Sequence, residues 1–298
     1  MSDIATREDY IDFHGYQTWF KVVGDLSSPL TPLVTLHGGP GCSHLYLQTM
    51  DQLAEDGRAV IFYDQLGCGK STDLRHQPAD FWTIDLFLDE LNSVLTTIGV
   101  ADDYHLFGQS WGGMLGAEHA VRAPTGLRSL IISNALPSSE SWTRGAKRLR
   151  SLLPPEVEAA LDRHEAAGTE TDPEYVAAAD VYYGRHVCRI PMPEHVAKSF
   201  ALLSENPSVY GSMWGNYEFS PTGSLRDWSI VERLSQIAVP TLVIAGEYDE
   251  ATSETQEIFV AEIPDVRQVV VPDASHMAIV EQPELYFAAL RDFLAEVD

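Results

Sequence analysis

The chain has 298 residues, 45% of them hydrophobic, with 19 basic and 44 acidic side chains, a formal charge of −25 and a sequence pI near 4.6. That length is ample for a buried core without disulfide or metal staples. The charge argues against nucleic-acid binding, which needs basic surface against phosphate, and against attraction to an anionic membrane. Three cysteines, Cys42, Cys68 and Cys188, form no CxxC and cannot all pair, which suits a reducing compartment. The polar, acidic N-terminus lacks the pattern of a signal peptide, and no apolar run reaches the ~18 residues of a membrane span, so the expectation is a cytoplasmic protein.

In chain order, Ile11–Val23 alternates and reads as an antiparallel hairpin at a sheet edge. Six short apolar runs follow: Pro32–Leu36, Ala59–Tyr63, Tyr104–Phe107, Leu127–Ser133, Thr241–Ala245 and Gln268–Val271. Each is continuous, as expected for strands of a sheet covered on both faces. Amphipathic stretches at Leu45–Glu55, Phe81–Ile98, Met114–Arg122, Ser253–Glu262 and Pro283–Val297 read as helices between them. This alternation predicts an α/β fold with a mostly parallel sheet and helices on both faces. It breaks between about Leu136 and Leu234, a stretch rich in Ala, Glu, Arg and Leu and punctuated by Pro154-Pro155, Pro173, Pro191 and Pro193. We read residues 137–234 as a helical cap inserted between core segments 1–136 and 235–298.

Gly108-Gln109-Ser110-Trp111-Gly112 fits G-x-S-x-G, lies directly after an apolar run and precedes a helical stretch. That is the strand–turn–helix context of a nucleophile elbow, with Ser110 the candidate nucleophile at a helix N-terminus. His37-Gly38-Gly39-Pro40-Gly41 follows Pro32–Leu36 and can aim a backbone N–H at an oxyanion, beside the N–H of Trp111. The plain alternative for that loop is a Gly/Pro turn. Asp249 follows Thr241–Ala245 and His276 follows the last run, giving the chain order Ser, Asp, His of α/β hydrolases. There is no HExxH, His186-Val187-Cys188 has no local partners that suggest zinc, and neither GxGxxG nor Walker A occurs. No metal and no cofactor are therefore expected.

These segments resemble the proline iminopeptidase-like branch of the α/β-hydrolase fold. The resemblance covers nearly the whole chain and rests on His37–Gly41 (HGGPG), Tyr63–Ser71 (YDQLGCGKS), Gly108–Gly113 (GQSWGG), Gly246–Glu250 (GEYDE) and Ser275-His276. Within the branch the chain looks most like the L-proline amide and L-amino-acid amide hydrolases, through Arg148–Pro154, His164–Tyr175 and Gly184–Arg189. The resemblance implies a serine amidohydrolase or aminopeptidase acting on small aminoacyl amides or short peptides with a free α-amino group. It implies that Gly39 and Trp111 form the oxyanion hole. It further implies that Glu218, in Asn216-Tyr217-Glu218-Phe219, and Glu250, beside Asp249, hold the substrate ammonium. Leu66 stands where many proline iminopeptidases have arginine, which weakens strict N-terminal proline specificity; Cys68, in the same loop, reads as a packed residue. The competing readings are an amidase that removes an aminoacyl group from a larger metabolite, an esterase, and a binding protein on a hydrolase scaffold.

Overall fold

The computed structural model describes residues 4–215 and 218–298. Among the described residues eight strands form one sheet in the order β1-β2-β4-β3-β5-β6-β7-β8. They are β1 Thr6–Phe13, β2 Tyr16–Val23, β3 Leu33–Leu36, β4 Val60–Tyr63, β5 Tyr104–Gln109, β6 Leu127–Ser133, β7 Thr241–Gly246 and β8 Val266–Val271. The β1–β2 hairpin and the β2–β4 pair are antiparallel; all other neighbours are parallel. Strands β3, β4, β5 and β7 are buried throughout and β6 is buried except at Arg128, as their continuous apolar runs require. The run Gln268–Val271 differs: β8 is an edge strand, with only one covered neighbour, and its Val270 is half exposed.

Helices cover both faces, among them α1 Ile84–Ile98, α2 Trp111–Ala120, α8 Ser253–Glu262 and, after the short α9 Ala278–Glu281, α10 Pro283–Val297. The stretch Leu45–Glu55 is helical but wound as a tighter 3₁₀ segment, His44–Ala54. Helix α1 illustrates why these boundaries hold. The Thr83 side chain accepts the Leu86 N–H at its start, and Gly99 ends it in the left-handed conformation.

Between β6 and β7 the described residues form five α-helices: α3 Ser139–Arg150, α4 Pro155–Ala167, α5 Pro173–His186, α6 Glu194–Glu205 and α7 Ser208–Met213. Two of them open on proline, which is pre-shaped for a first turn. The insert leaves and returns at one place. The Ser139 N–H donates to Trp228 O at 3.0 Å, and the Ile230 N–H donates to Pro137 O at 3.0 Å.

The order in which strands are added reverses at β3, which pairs in parallel with β4 on one side and β5 on the other. Ligand sites of open α/β sheets form at such a crevice, beyond the carboxyl ends of the strands. Here Leu36 pairs with Gly108, so the loop after β3 and the turn after β5 emerge side by side. Further along, Gly246 pairs with Val271, which brings the turns after β7 and β8 together.

Candidate active site

Ser110 sits at the end of β5, immediately before α2, with φ 56° and ψ −122°. A non-glycine residue there is strained, and the surroundings enforce it. Its N–H donates to Ser133 O at 2.9 Å, and its carbonyl accepts the Gly113 N–H at 2.8 Å. A Cβ on Gly112 would lie 2.1 Å from Leu36 O, and one on Gly108 would lie 2.0 Å from Gly112 O. Only glycine permits this crossing of helix and sheet. Trp111 opens α2, so its N–H has no acceptor within the helix.

In the adjoining loop Gly39 has φ 111°, and a Cβ there would lie 2.4 Å from Gly41 N. The loop is braced from below. The Gly38 N–H donates to the Tyr46 hydroxyl at 2.6 Å, and that hydroxyl donates to Gln109 Oε1 at 2.7 Å. His37 Nε2 accepts the Gln65 N–H at 3.0 Å, so Nδ1 carries the proton and donates to Gly38 O at 3.0 Å. The Trp111 indole donates to Gln65 Oε1 at 2.8 Å, joining the two turns.

His276 and Asp249 meet at the other side of the crevice. The imidazole Nδ1 lies 2.8 Å from Asp249 Oδ1. The remaining carboxylate positions of Asp249 are also taken: Asn134 Nδ2 donates to Oδ2 at 2.6 Å, and the Ala251 N–H donates to Oδ1 at 2.9 Å. Burial alone would push the His276 pKa down; the charge and hydrogen bond of Asp249 outweigh it and hold it above 6.5, with help from Glu218 and Glu281. The Ser275-His276 turn is fixed from behind by Glu281. Its carboxylate accepts the Ser275 N–H at 2.6 Å, the Ser275 hydroxyl at 2.9 Å and the Arg189 N–H at 2.6 Å. From the insert, the His186 carbonyl accepts the N–H groups of both Glu250 (3.3 Å) and His276 (3.1 Å).

One cavity of about 480 Å³ is lined by Gly39, Ser110 and His276 together with Glu218 and Glu250. Glu250 is 2% exposed, and its Oε2 has no hydrogen-bond partner among the described residues. Burial, then the neighbouring charges of Glu218 and Asp249, raise its pKa well above the usual carboxylate range. Glu218 is half-buried and accepts a short hydrogen bond from the Tyr210 hydroxyl. Burial also raises its pKa, against the pull of that bond and of His276. The indoles of Trp142 and Trp214 hold the Glu218 carbonyl at 2.8 and 3.3 Å, so the turn at Glu218 is anchored on both sides. Asn216 and Tyr217, which precede it, lie outside the described residues.

Leu66 is fully buried in the main core, and its N–H donates to Glu90; it does not line the cavity. Cys68 is likewise buried away from it, whereas Cys42, at the end of the glycine-rich loop, does line it. Sequence reading passed over Asn134, Tyr210, Glu281 and Cys42. The first three sit in unremarkable local sequence; Cys42 directly follows HGGPG, a signal that was available. His164, Asp172 and Glu174 come within metal-binding reach of one another, but Glu174 is paired with Arg163 at 2.6 Å and Asp172 caps α5.

Residues 31–283 match the family model described as alpha/beta hydrolase fold. The chain is 37% identical over 299 residues to a proline iminopeptidase of Levilactobacillus brevis, covering 98% of this chain and 97% of the relative. It is 35% identical over 295 residues to one of Saccharolobus solfataricus, covering 99% of this chain and 94% of the relative. Among solved structures it is similar to VinJ, with 47% identity, a TM-score of 0.96 and coverage of 98% of this chain and 99% of that one. It is also similar to a proline iminopeptidase of Mycobacterium smegmatis, with 49% identity, a TM-score of 0.92 and coverage of 97% and 98%. The chain belongs to the α/β-hydrolase family. Within that family it falls in the proline iminopeptidase-like branch and is an enzyme of the serine-hydrolase, aminopeptidase class. Among the described residues no helix is long and apolar enough to cross a membrane.

Proposed function

We propose that the protein hydrolyses the amide bond that follows an amino acid with a free α-amino group, through a serine-bound acyl-enzyme. Residues 137–234 act as the cap over the site. Ser110 Oγ attacks the carbonyl carbon and His276 takes its proton. The oxyanion is held by the N–H groups of Gly39 and Trp111. The C–N bond then breaks, and His276 returns the proton to the departing amine. Water attacks the prolyl or aminoacyl ester with His276 as base, releasing the free amino acid and Ser110. Asp249 holds the imidazole in one tautomer throughout.

Glu218 and Glu250 receive the substrate ammonium. One observation supports this reading: Glu250 lines the same cavity as Ser110 and His276, and one of its buried carboxylate oxygens has no partner among the described residues. An unpartnered buried carboxylate is costly, and a cation removes that cost. An esterase for neutral acyl groups would have no use for two carboxylates lining that cavity. L-Prolinamide and small L-amino-acid amides fit this requirement, as do short peptides with a free N-terminus.

The reading is tested by following ammonia release from L-prolinamide with hydroxylamine present. Wild type should yield proline and prolyl hydroxamate, the latter from capture of the ester. Ser110→Ala should yield neither, a loss of roughly 10⁶-fold in kcat. A pure Ser110→Ala protein that still turned over L-prolinamide would refute the mechanism.

A further inference from the structure

No residue of Tyr63–Ser71 (YDQLGCGKS) lines the cavity, yet one of them reaches both turns that bear the proposed oxyanion donors. Gln65, fully buried in the loop after β4, makes three hydrogen bonds to them. Its Nε2 donates to His37 O at 3.0 Å, its Oε1 accepts the Trp111 indole N–H at 2.8 Å, and its backbone N–H donates to His37 Nε2 at 3.0 Å. An indole only donates and a carbonyl only accepts, so the amide has one orientation and both its ends are used. The loop that carries Gln65 is itself pinned. The Leu66 N–H donates to both Glu90 oxygens, at 3.0 and 3.2 Å. Asp64 accepts the N–H groups of His44 and Lys70 at 2.7 and 2.8 Å.

The ladder between β3 and β5 ends at the pair Leu36–Gly108. Beyond it Gly39 and Trp111 ride on separate turns, and an oxyanion hole needs their N–H groups at a fixed separation. The link from Gly38 through Tyr46 to Gln109 is one brace between these turns, and Gln65 is a second. The hold on His37 reaches further. Its Nε2 is occupied by the Gln65 N–H, so Nδ1 donates to Gly38 O. Gly38 O and the Gly39 N–H belong to one trans peptide plane and point opposite ways. Fixing the oxygen therefore aims the N–H. Between two glycines such a peptide turns over easily unless something holds it. We infer that Gln65 is a positioning residue for the oxyanion hole, on the proposed assignment of that hole to Gly39 and Trp111: it sets the spacing of the two donors and keeps the Gly38–Gly39 peptide from turning over.

The test uses two inhibitors of the full-length enzyme. With pyrrolidine-2-boronic acid, Ser110 Oγ bonds to boron, the hydroxyl proton passes to His276, and the tetrahedral boronate puts an oxygen in the hole. Pyrrolidine offers the same cation and no such oxygen. Gln65→Met, which loses both side-chain bonds, should lower kcat on L-prolinamide about tenfold to a hundredfold with KM within about twofold. Its boronate Ki should rise by about the same factor, while its pyrrolidine Ki should not change. Trp111→Phe removes the same 2.8 Å bond and keeps the backbone N–H. It should shift the boronate in the same direction, and it carries the test if Gln65→Met does not fold. In the double variant the Gln65→Met effect should shrink, since the shared bond is already gone. An unchanged boronate Ki in a folded variant, or equal losses for boronate and pyrrolidine, overturns the positioning role and leaves the serine mechanism standing. Wild-type enzyme that binds the boronate no tighter than pyrrolidine overturns the serine mechanism and this role with it.

Discussion

Asp249 and Glu250 are consecutive, both are buried, and their surroundings could hardly differ more. Asp249 has three protein donors on its two oxygens: His276, Asn134 and the Ala251 N–H. Glu250 has an oxygen with none among the described residues. The first carboxylate is a finished part of the fold, held at both oxygens, and its charge raises the pKa of His276. In the proposed reading the second is completed by the substrate ammonium. A satisfied buried charge organises structure, while an unsatisfied one beside a reactive centre marks the place of a ligand.

The largest way to break this contrast is Asp249→Asn. It keeps the shape but favours the wrong imidazole tautomer, and kcat on L-prolinamide should fall about 10⁴-fold. Steady-state kinetics read it directly; a loss under tenfold would mean that Asp249 does not orient His276. Glu250→Gln comes next. It removes the charge meant for the substrate ammonium and should cost about a hundredfold in kcat/KM on L-prolinamide, chiefly in KM. Glu218→Gln acts in the same direction. Asn134→Ala removes one donor to Asp249 and should cost roughly tenfold in kcat, the worth of a hydrogen bond to a charged group.

The pH profile is the gentlest probe. His276 must be neutral to act as base, and its pKa is held above 6.5. kcat/KM should therefore rise with pH through a midpoint above 6.5. The raised carboxyls of Glu218 and Glu250 must ionise to hold an ammonium, so they lie on the same limb. The α-amine of the substrate loses its charge above about pH 8, which gives the alkaline limb. Replacing Asp249 should move the acid limb down, since its charge is what raises His276. An acid limb below 6.5 in wild type would contradict the electrostatics.

Much of the fold was readable because burial leaves a strong mark. Leu127–Ser133, Ser253–Glu262 and Pro283–Val297 have the bounds that apolar patterning indicates. Ser110 announced itself because strain and close packing demand glycines around it. Asn134 and Glu281 were silent for the opposite reason. Each is one polar residue whose meaning comes from a partner over a hundred residues away or across a turn, and local sequence carries no trace of that. Tyr210 is similar: its link to Glu218 depends on how α7 folds back.

The most direct measurement of the central claim is the ratio of kcat/KM for L-prolinamide to that for N-acetyl-L-prolinamide, taken with wild type and with Glu250→Gln. The two substrates share the scissile bond and differ in the charge on nitrogen. The account predicts at least a hundredfold preference for the free amine in wild type, largely lost in Glu250→Gln. Equal turnover of both substrates by wild type would contradict it.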